Sequence, residues 1–391
     1  MLNYYYWYSI IASVIFGLYI LPFSGLNSNL NGFFLILIIL SIILSIILGT
    51  IFKKSFVFMP AKPINKKSFY IPMIIILILY IIEIIYLKEI PFISVTIKHI
   101  DKYQEYQSIP FFHMLLAMLC MYYSTKYIYH AISYKENRKK NILCYFIINI
   151  LMISYNMRSF FMISLFLAIN LLISSLRSNG HKFLNKKTIL TGIVVIISLF
   201  MFGGVGNMRQ GFTFNNSSYI EQIGRYNNWP KIVPKQYMWS YSYITSPLAN
   251  LNYNIINNNY QNNIEGFIYQ LIPDSITKRI GNPDKIKECS LITQVFTTST
   301  GYCRPYSNLG FIGIILFWIV TMLFPIFVFK YRLNKDKQES YIIFISLYCT
   351  CISFLFFTNM FSYGGTSPAL WLSFILLINK IKISYKRKEN V

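Results

Sequence analysis

Long, unbroken apolar runs limit this chain more than any other feature. Hydrocarbon gives backbone amides and carbonyls nothing to bond to, so a segment that crosses it must satisfy them internally. A helix does so with about 20 mostly apolar residues. Ten runs reach or approach that length: Tyr4–Leu21, Phe33–Ile51, Tyr70–Leu87, Phe111–His130, Asn141–Tyr155, Ser159–Leu176, Thr188–Phe202, Phe311–Phe329, Tyr341–Phe357 and Pro368–Asn379. The expected fold is therefore all-α, a polytopic membrane bundle of about ten transmembrane helices. Hydrophobic residues make up 55% of the sequence and charged residues 13%, which excludes an ordinary soluble domain. The first run lacks a basic leader and a small-residue cleavage site, and reads as a span rather than a signal peptide.

The formal charge of +23 comes from 36 basic and 13 acidic residues. The basic residues crowd alternate loops. One set holds Lys53, Lys54, Lys62, Lys66 and Lys67, the next Lys135, Arg138, Lys139 and Lys140, the next Arg177, Lys182, Lys186 and Lys187. Lys330, Arg332, Lys335 and Lys337 follow, and a basic tail runs from Lys380 to Lys388. By the positive-inside rule that side is cytoplasmic. Both termini then lie in the cytoplasm, and the remaining loops face outward. The charge forms no stripe along one element, so membrane lipid is an expected partner and nucleic acid is not.

The chain divides into a membrane bundle of seven spans (1–207), a large periplasmic loop (208–309), and three further spans with the basic tail (310–391). The loop is rich in Arg, Tyr, Trp and Asn. Tyr219, Ile220, Ile223 and Tyr226 recur at helical spacing, as do Trp239 and Tyr243, and five prolines break the stretch into pieces, so the loop is expected to consist of short helices. Ile, Phe, Tyr, Asn and Lys are abundant throughout, which points to an AT-rich genome and gives any single Asn little weight. Other outward segments are the polar loop with Asp101 and Glu105, the tight turn at Asn156–Arg158, and the Gly-Gly turn before the last span.

No His or Cys cluster has metal-ligand spacing, no paired carboxylates stand ready for a divalent ion, and no nucleophile elbow or phosphate-cradling Gly loop occurs. Neither a metal nor a cofactor is expected. Arg158, Arg209, Arg225, Arg279 and Arg304 instead stand on the outward side. Guanidinium is a planar fork that fits phosphate oxygens and keeps its charge. Arg158, Arg209 and Arg304 sit at the ends of spans, at headgroup depth, where a lipid-linked pyrophosphate would lie. Snorkelling to bulk lipid phosphate is the competing reading. Trp239 and Tyr243 present faces on which sugars stack, or else belong to an interfacial aromatic belt. Glu221, between Arg209 and Arg225 in sequence, is the candidate general base, and His113 at the outward end of its span is a second. Glu83 lies within a span, close enough in sequence to pair with Lys88. Cys289 and Cys303 face an oxidising compartment and are candidates for a disulfide, worth about 3 kcal/mol by loop-closure entropy. Cys120, Cys144, Cys349 and Cys351 lie in spans and read as packing.

Several stretches together resemble the Wzy-type O-antigen polymerases, which join oligosaccharide repeat units. These are Pro91 at the head of an outward loop, Ser-Tyr-Asn-Met-Arg158, Phe202-Gly-Gly-Val-Gly-Asn-Met-Arg209, Tyr243-Ile-Thr-Ser-Pro-Leu-Ala-Asn-Leu251, Gly266 to Pro273, Thr300-Gly-Tyr, and Tyr306-Ser-Asn-Leu-Gly310-Phe-Ile-Gly313. Ile220 stands where an Arg-x10-Gly pattern counted from Arg209 expects Gly, and Arg304-Pro305 occupies the region of an expected acidic residue. The resemblance implies a donor glycan on undecaprenyl pyrophosphate and a second lipid-linked repeat unit as acceptor. It also implies a chain-length regulator protein as a possible partner. An acceptor hydroxyl attacks the donor's anomeric carbon and the pyrophosphate carrier leaves. Arg158 and Arg209 would meet that pyrophosphate without a metal, and Arg225 and Arg304, with Tyr243, Trp239 and His113, would hold substrate. An O-antigen ligase-type transferase shares donor and architecture. A flippase or transporter, the alternative from another class, would carry more charge within its spans.

Overall fold

The computed structural model describes residues 2–61, 66–96, 109, 111–155, 157–178, 186–280, 286–334 and 336–388. The side chains of 66–68, 95–96, 158, 186–188, 191, 194, 209, 275, 278, 280 and 379–388 lie outside that description, as does the polar loop with Asp101 and Glu105. The described chain is helical. Its only β feature among these residues is an isolated antiparallel bridge between Ser24 and Tyr226.

The helices run in chain order as α1 (Tyr4–Ile20), α2 (Gly32–Ile51), α3 (Lys66–Leu87), α4 (Pro91–Thr96), α5 (Phe112–Ser133), α6 (Arg138–Ser154), α7 (Arg158–Ser178) and α8 (Lys186–Arg209). They continue as α9 (Ser218–Ile223), α10 (Tyr237–Ile256), α11 (Ile264–Ile268), α12 (Asp274–Ile280), α13 (Cys303–Leu323), α14 (Gln338–Ser353) and α15 (Ser367–Lys388). Each apolar run in the sequence falls largely on one of these helices, the run Phe311–Phe329 continuing from α13 into a 3-10 helix over Phe324–Leu333. Four segments are long and apolar enough to cross a membrane: Gly32–Ile51, Phe69–Leu87, Ser159–Ser178 and Cys303–Leu333. Tyr4–Ile20, Val195–Met208 and Ser367–Ile378 are shorter apolar helices. The outer faces carry their apolar side chains outward, among them Ile36, Ile43 and Ile47 on α2 and Ile71, Ile78, Ile81 and Ile85 on α3. A continuous exposed apolar face of this kind belongs in lipid, where those side chains meet hydrocarbon.

Asparagine starts the first two helices. The Asn3 side chain accepts from the amides of Tyr5 and Tyr6, and Asn31 accepts from those of Phe33 and Phe34. Both meet amide donors that the helix itself leaves unpaired. Asn3 also donates to the Gly49 carbonyl at 2.8 Å, tying the start of α1 to the end of α2. At the centre, α14 is buried on every side from Ser340 to Ser353, packed by α1, α5, α7 and α15. A helix that is apolar all round is one with neighbours all round. α13 breaks where Leu309 and Gly310 leave helical dihedrals. Gly310 takes φ +59°, a conformation that costs a residue with a Cβ more than it costs glycine.

Lys126 is paired rather than isolated within its helix. Its Nζ lies 2.7 Å from Glu339 at the start of α14, and His130 Nε2 lies 3.4 Å from the other oxygen of the same carboxylate. Burial alone would raise the Glu339 pKa, but His130 and Lys126 outweigh it and hold the carboxyl down at about 2.

The largest difference from expectation is α10. The sequence predicts a loop of short helices over 208–309. The structure instead runs a helix of 20 residues through the middle of it, packed on α8, α1 and α13. Its Ser, Thr and Asn content hides it from hydropathy, yet nearly all of it is buried. Those side chains bond the segments that pack around the helix. Asn250 donates to the carbonyls of Phe296 and Thr298 at 3.0 and 2.8 Å and accepts from the Ile292 amide at 2.9 Å. Asn254 donates to the Ser290 carbonyl at 2.8 Å and accepts from its amide at 3.1 Å. Asn252 faces the other way, donating to Ser28 Oγ and the Asn29 carbonyl and accepting from the Asn31 amide. A buried polar side chain is stabilising only when it is bonded in this way.

Candidate functional site

Cys289 and Cys303 are joined by a disulfide, with Cα atoms 6.0 Å apart. The four remaining cysteines are free and buried, as the packing role requires. The crosslink ties the segment before α13 to the first residue of that helix. Beside it, Arg304 Nε meets Glu288 Oε2 at 2.7 Å, and its other arm lies 3.5 Å from Asp274 Oδ1 at the start of α12. The Arg304 charge is therefore held by two carboxylates of its own chain. That departs from the expectation of a guanidinium open to substrate.

The aromatic residues singled out in the sequence gather around α9 and α10. Trp239 is 3% exposed, its indole N–H donates to Asn207 Oδ1 at 2.7 Å, and Tyr219 stacks on it at 6.2 Å. Tyr243 packs edge-on against Phe202 and Phe296. Tyr226 hydrogen-bonds the Met238 carbonyl and Ser242, and burial pushes its phenol pKa up. Trp239 is thus a packing residue with both faces and its donor engaged, and the expected sugar stacking does not fit it. α8 approaches so closely that a Cβ on Gly203 would lie 1.8 Å from the Gln236 carbonyl oxygen. Glu221 lies on α9 with Lys235 Nζ at 2.7 Å from its carboxylate. That partner already holds the charge a general base would need to turn toward substrate. Arg225 has φ 50°, an exposed side chain, and a backbone carbonyl that accepts from the Gly25 amide at 2.9 Å. Its guanidinium remains open to solvent. Arg209 is the last residue of α8, and its side chain lies outside the described set.

A second neighbourhood forms where α3, α5, α6 and α7 end or begin. Glu83, with none of its side chain exposed, lies 3.0 Å from His113 Nδ1 on the first turn of α5. Tyr155, the residue after α6, sets its ring edge-on to His113 at 5.1 Å. Arg158 opens α7, with its side chain outside the described set, and Ser159 beside it hydrogen-bonds the Tyr363 hydroxyl at 2.9 Å. α12 brings Arg279 over the Phe111 ring, 3.3 Å from its centroid, just before α5. The Asp274 amide of the same short helix bonds the Ser362 carbonyl at 2.9 Å. One end of the bundle therefore carries His113, Arg279 and the start of α7 together. Comparison with protein families, with curated proteins and with solved structures finds no match to this chain.

The expected partner of Glu83 was Lys88, and the structure replaces it with His113. The reason is local: Lys88 lies just past the end of α3 with φ 59°, off the helix face that carries Glu83. Tyr155, Ser159 and Tyr363 were not anticipated. Tyr155 carried a usable signal, because it stands three positions before Arg158 at a turn too tight to separate them.

Proposed function

We propose that this chain is an inner-membrane glycosyltransferase that polymerises polyprenyl-pyrophosphate-linked oligosaccharide repeat units on the periplasmic side. In this reading the bundle has about ten spans and both termini are cytoplasmic. The donor's pyrophosphate is met at the outer rim by guanidinium groups on helix ends. An acceptor hydroxyl attacks the anomeric carbon, and the carrier leaves with the bonding electrons. The developing negative charge is stabilised by fixed positive charge already in place.

The observation that supports it most is the grouping of Arg158, Arg279 and His113 at one end of the bundle. Arg158 stands at a helix start, where backbone amides and the helix dipole add positive potential. Arg279 lies against an aromatic ring rather than a carboxylate. Arg304, held by Glu288 and Asp274, is assigned to shaping α12 rather than to binding substrate.

Replacing Arg158 or Arg279 with Ala should leave membrane insertion intact and convert long surface glycan into single-repeat glycan, a change visible as loss of the ladder on gels. Lys at either position should restore it only in part, because an ammonium cannot form the two-pronged contact. Full ladders in both Ala variants would refute the pyrophosphate assignment.

A further inference from the structure

The buried carboxylate of Glu83 has no role in the reading above. It lies inside α3 with 0% of its side chain exposed. His113 Nδ1 meets Oε1 at 3.0 Å and the Tyr155 phenol lies close to the same carboxylate, while Oε2 has no partner at hydrogen-bond distance among the described residues. A charge placed there is costly, and an apolar side chain would avoid the cost. An ionised carboxylate can only accept, and an imidazole bonded to one through Nδ1–H would carry its lone pair on Nε2. Among the described residues none is hydrogen-bonded to that nitrogen. His113 is 28% exposed, so its ring reaches the open end of the bundle. Tyr155 packs edge-on from α6 and fixes the ring's plane. Among the described residues the remaining titratable and charged groups around it are Tyr80 on α3, whose carbonyl bonds Tyr155, Cys120 two turns along α5, and Arg279 at Phe111.

We propose that His113 is the catalytic base and that Glu83 is its positioning residue. This deepens the polymerase reading and rests on it. Nε2 takes the proton of the acceptor sugar's hydroxyl as that oxygen bonds the donor's anomeric carbon. The bond from that carbon to the pyrophosphate oxygen breaks, and its electron pair leaves with the polyprenyl pyrophosphate. The imidazolium so formed is stabilised by Glu83 and then gives its proton to water. Glu83 fixes the tautomer and never touches substrate. The assignment replaces Glu221, whose carboxylate Lys235 holds.

The test uses full-length protein in proteoliposomes, supplied with polyprenyl-pyrophosphate glycan extracted from the host's own membranes. His113→Gln should lower transfer by about 100-fold or more, the range for a lost acid-base group. Glu83→Gln should lower it less, by about tenfold, as for other groups that orient a working imidazole. It should do so through kcat, with KM for the lipid-linked glycan near its wild-type value, and Glu83→Asp should restore part of the rate. A purely structural role for Glu83 would lower the amount of folded protein and leave kcat per folded molecule unchanged. Should Glu83→Gln fail to accumulate, carbethoxylation of the wild-type protein decides: modification mapped to His113 by mass spectrometry should track loss of transfer. If both variants transfer at the wild-type rate while Arg158→Ala does not, the base assignment is wrong and the polymerase reading stands. If Arg158→Ala also transfers normally, the polymerase reading itself has failed.

Discussion

The two outward neighbourhoods are built from similar residue types and use them in opposite ways. Around α9 and α10 most of the polar groups answer one another, with Ser246 Oγ an exception. Trp239 bonds Asn207, Tyr226 bonds Ser242, Glu221 pairs with Lys235, and Asn250, Asn252 and Asn254 bond the loops that cross them. Around α3, α5, α7 and α12 the polar groups are left partly unanswered. Among the described residues Glu83 Oε2 and His113 Nε2 have no hydrogen-bond partner, and Arg279 faces a ring. The difference teaches where to look for chemistry in a chain full of polar aromatics. Satisfied polar groups hold a fold together, and unsatisfied ones remain available to a ligand.

That contrast can be broken first on the structural side. Asn254→Leu removes bonds to the Ser290 carbonyl and amide and to the Asn259 side chain, so it should cost about 3 kcal/mol at roughly 1 kcal/mol for each lost partner. The check is the thermal midpoint of detergent-solubilised protein, and an unchanged midpoint would mean that α10 does not staple the loop. Opening the Cys289–Cys303 bridge by Ser substitution should lower the same midpoint by the equivalent of about 3 kcal/mol or less, with transfer retained in the folded fraction. The smallest effect belongs to Trp239→Phe. It loses one hydrogen bond to Asn207, about 1 kcal/mol, and should keep full glycan ladders. Loss of the ladders at normal protein level would return the sugar-binding role to this tryptophan and erase the distinction between the two regions.

Much of the framework was legible in the sequence because hydrocarbon imposes a simple rule. Apolar runs such as Phe33–Ile51 and Ser159–Leu176 coincide closely with α2 and α7. The pairing of Cys289 with Cys303 followed from their being the two cysteines outside apolar runs. Hydropathy missed α10, because its burial is secured by side-chain amides bonded to specific backbone groups. Discounting asparagine as compositional bias removed the signal that marked it. Asn250, Asn252 and Asn254 recur at a spacing of two, which on a helix fans them across different faces and lets one element bond several segments. The candidate site was half visible. Glu83 and His113 were each singled out, but their pairing joins α3 to α5 across 30 positions, which no local pattern encodes. Arg304 looked identical to the other outward arginines, since its partners Glu288 and Asp274 are brought to it by the fold.

The most direct measurement asks which neighbourhood touches the lipid-linked glycan. A photoreactive benzoylphenylalanine would replace Phe111 beside Arg279, or Tyr219 beside Trp239, and cells making the glycan would be irradiated. The account predicts a glycan-bearing lipid crosslinked at position 111 and none at position 219. Capture at 219 alone would contradict it.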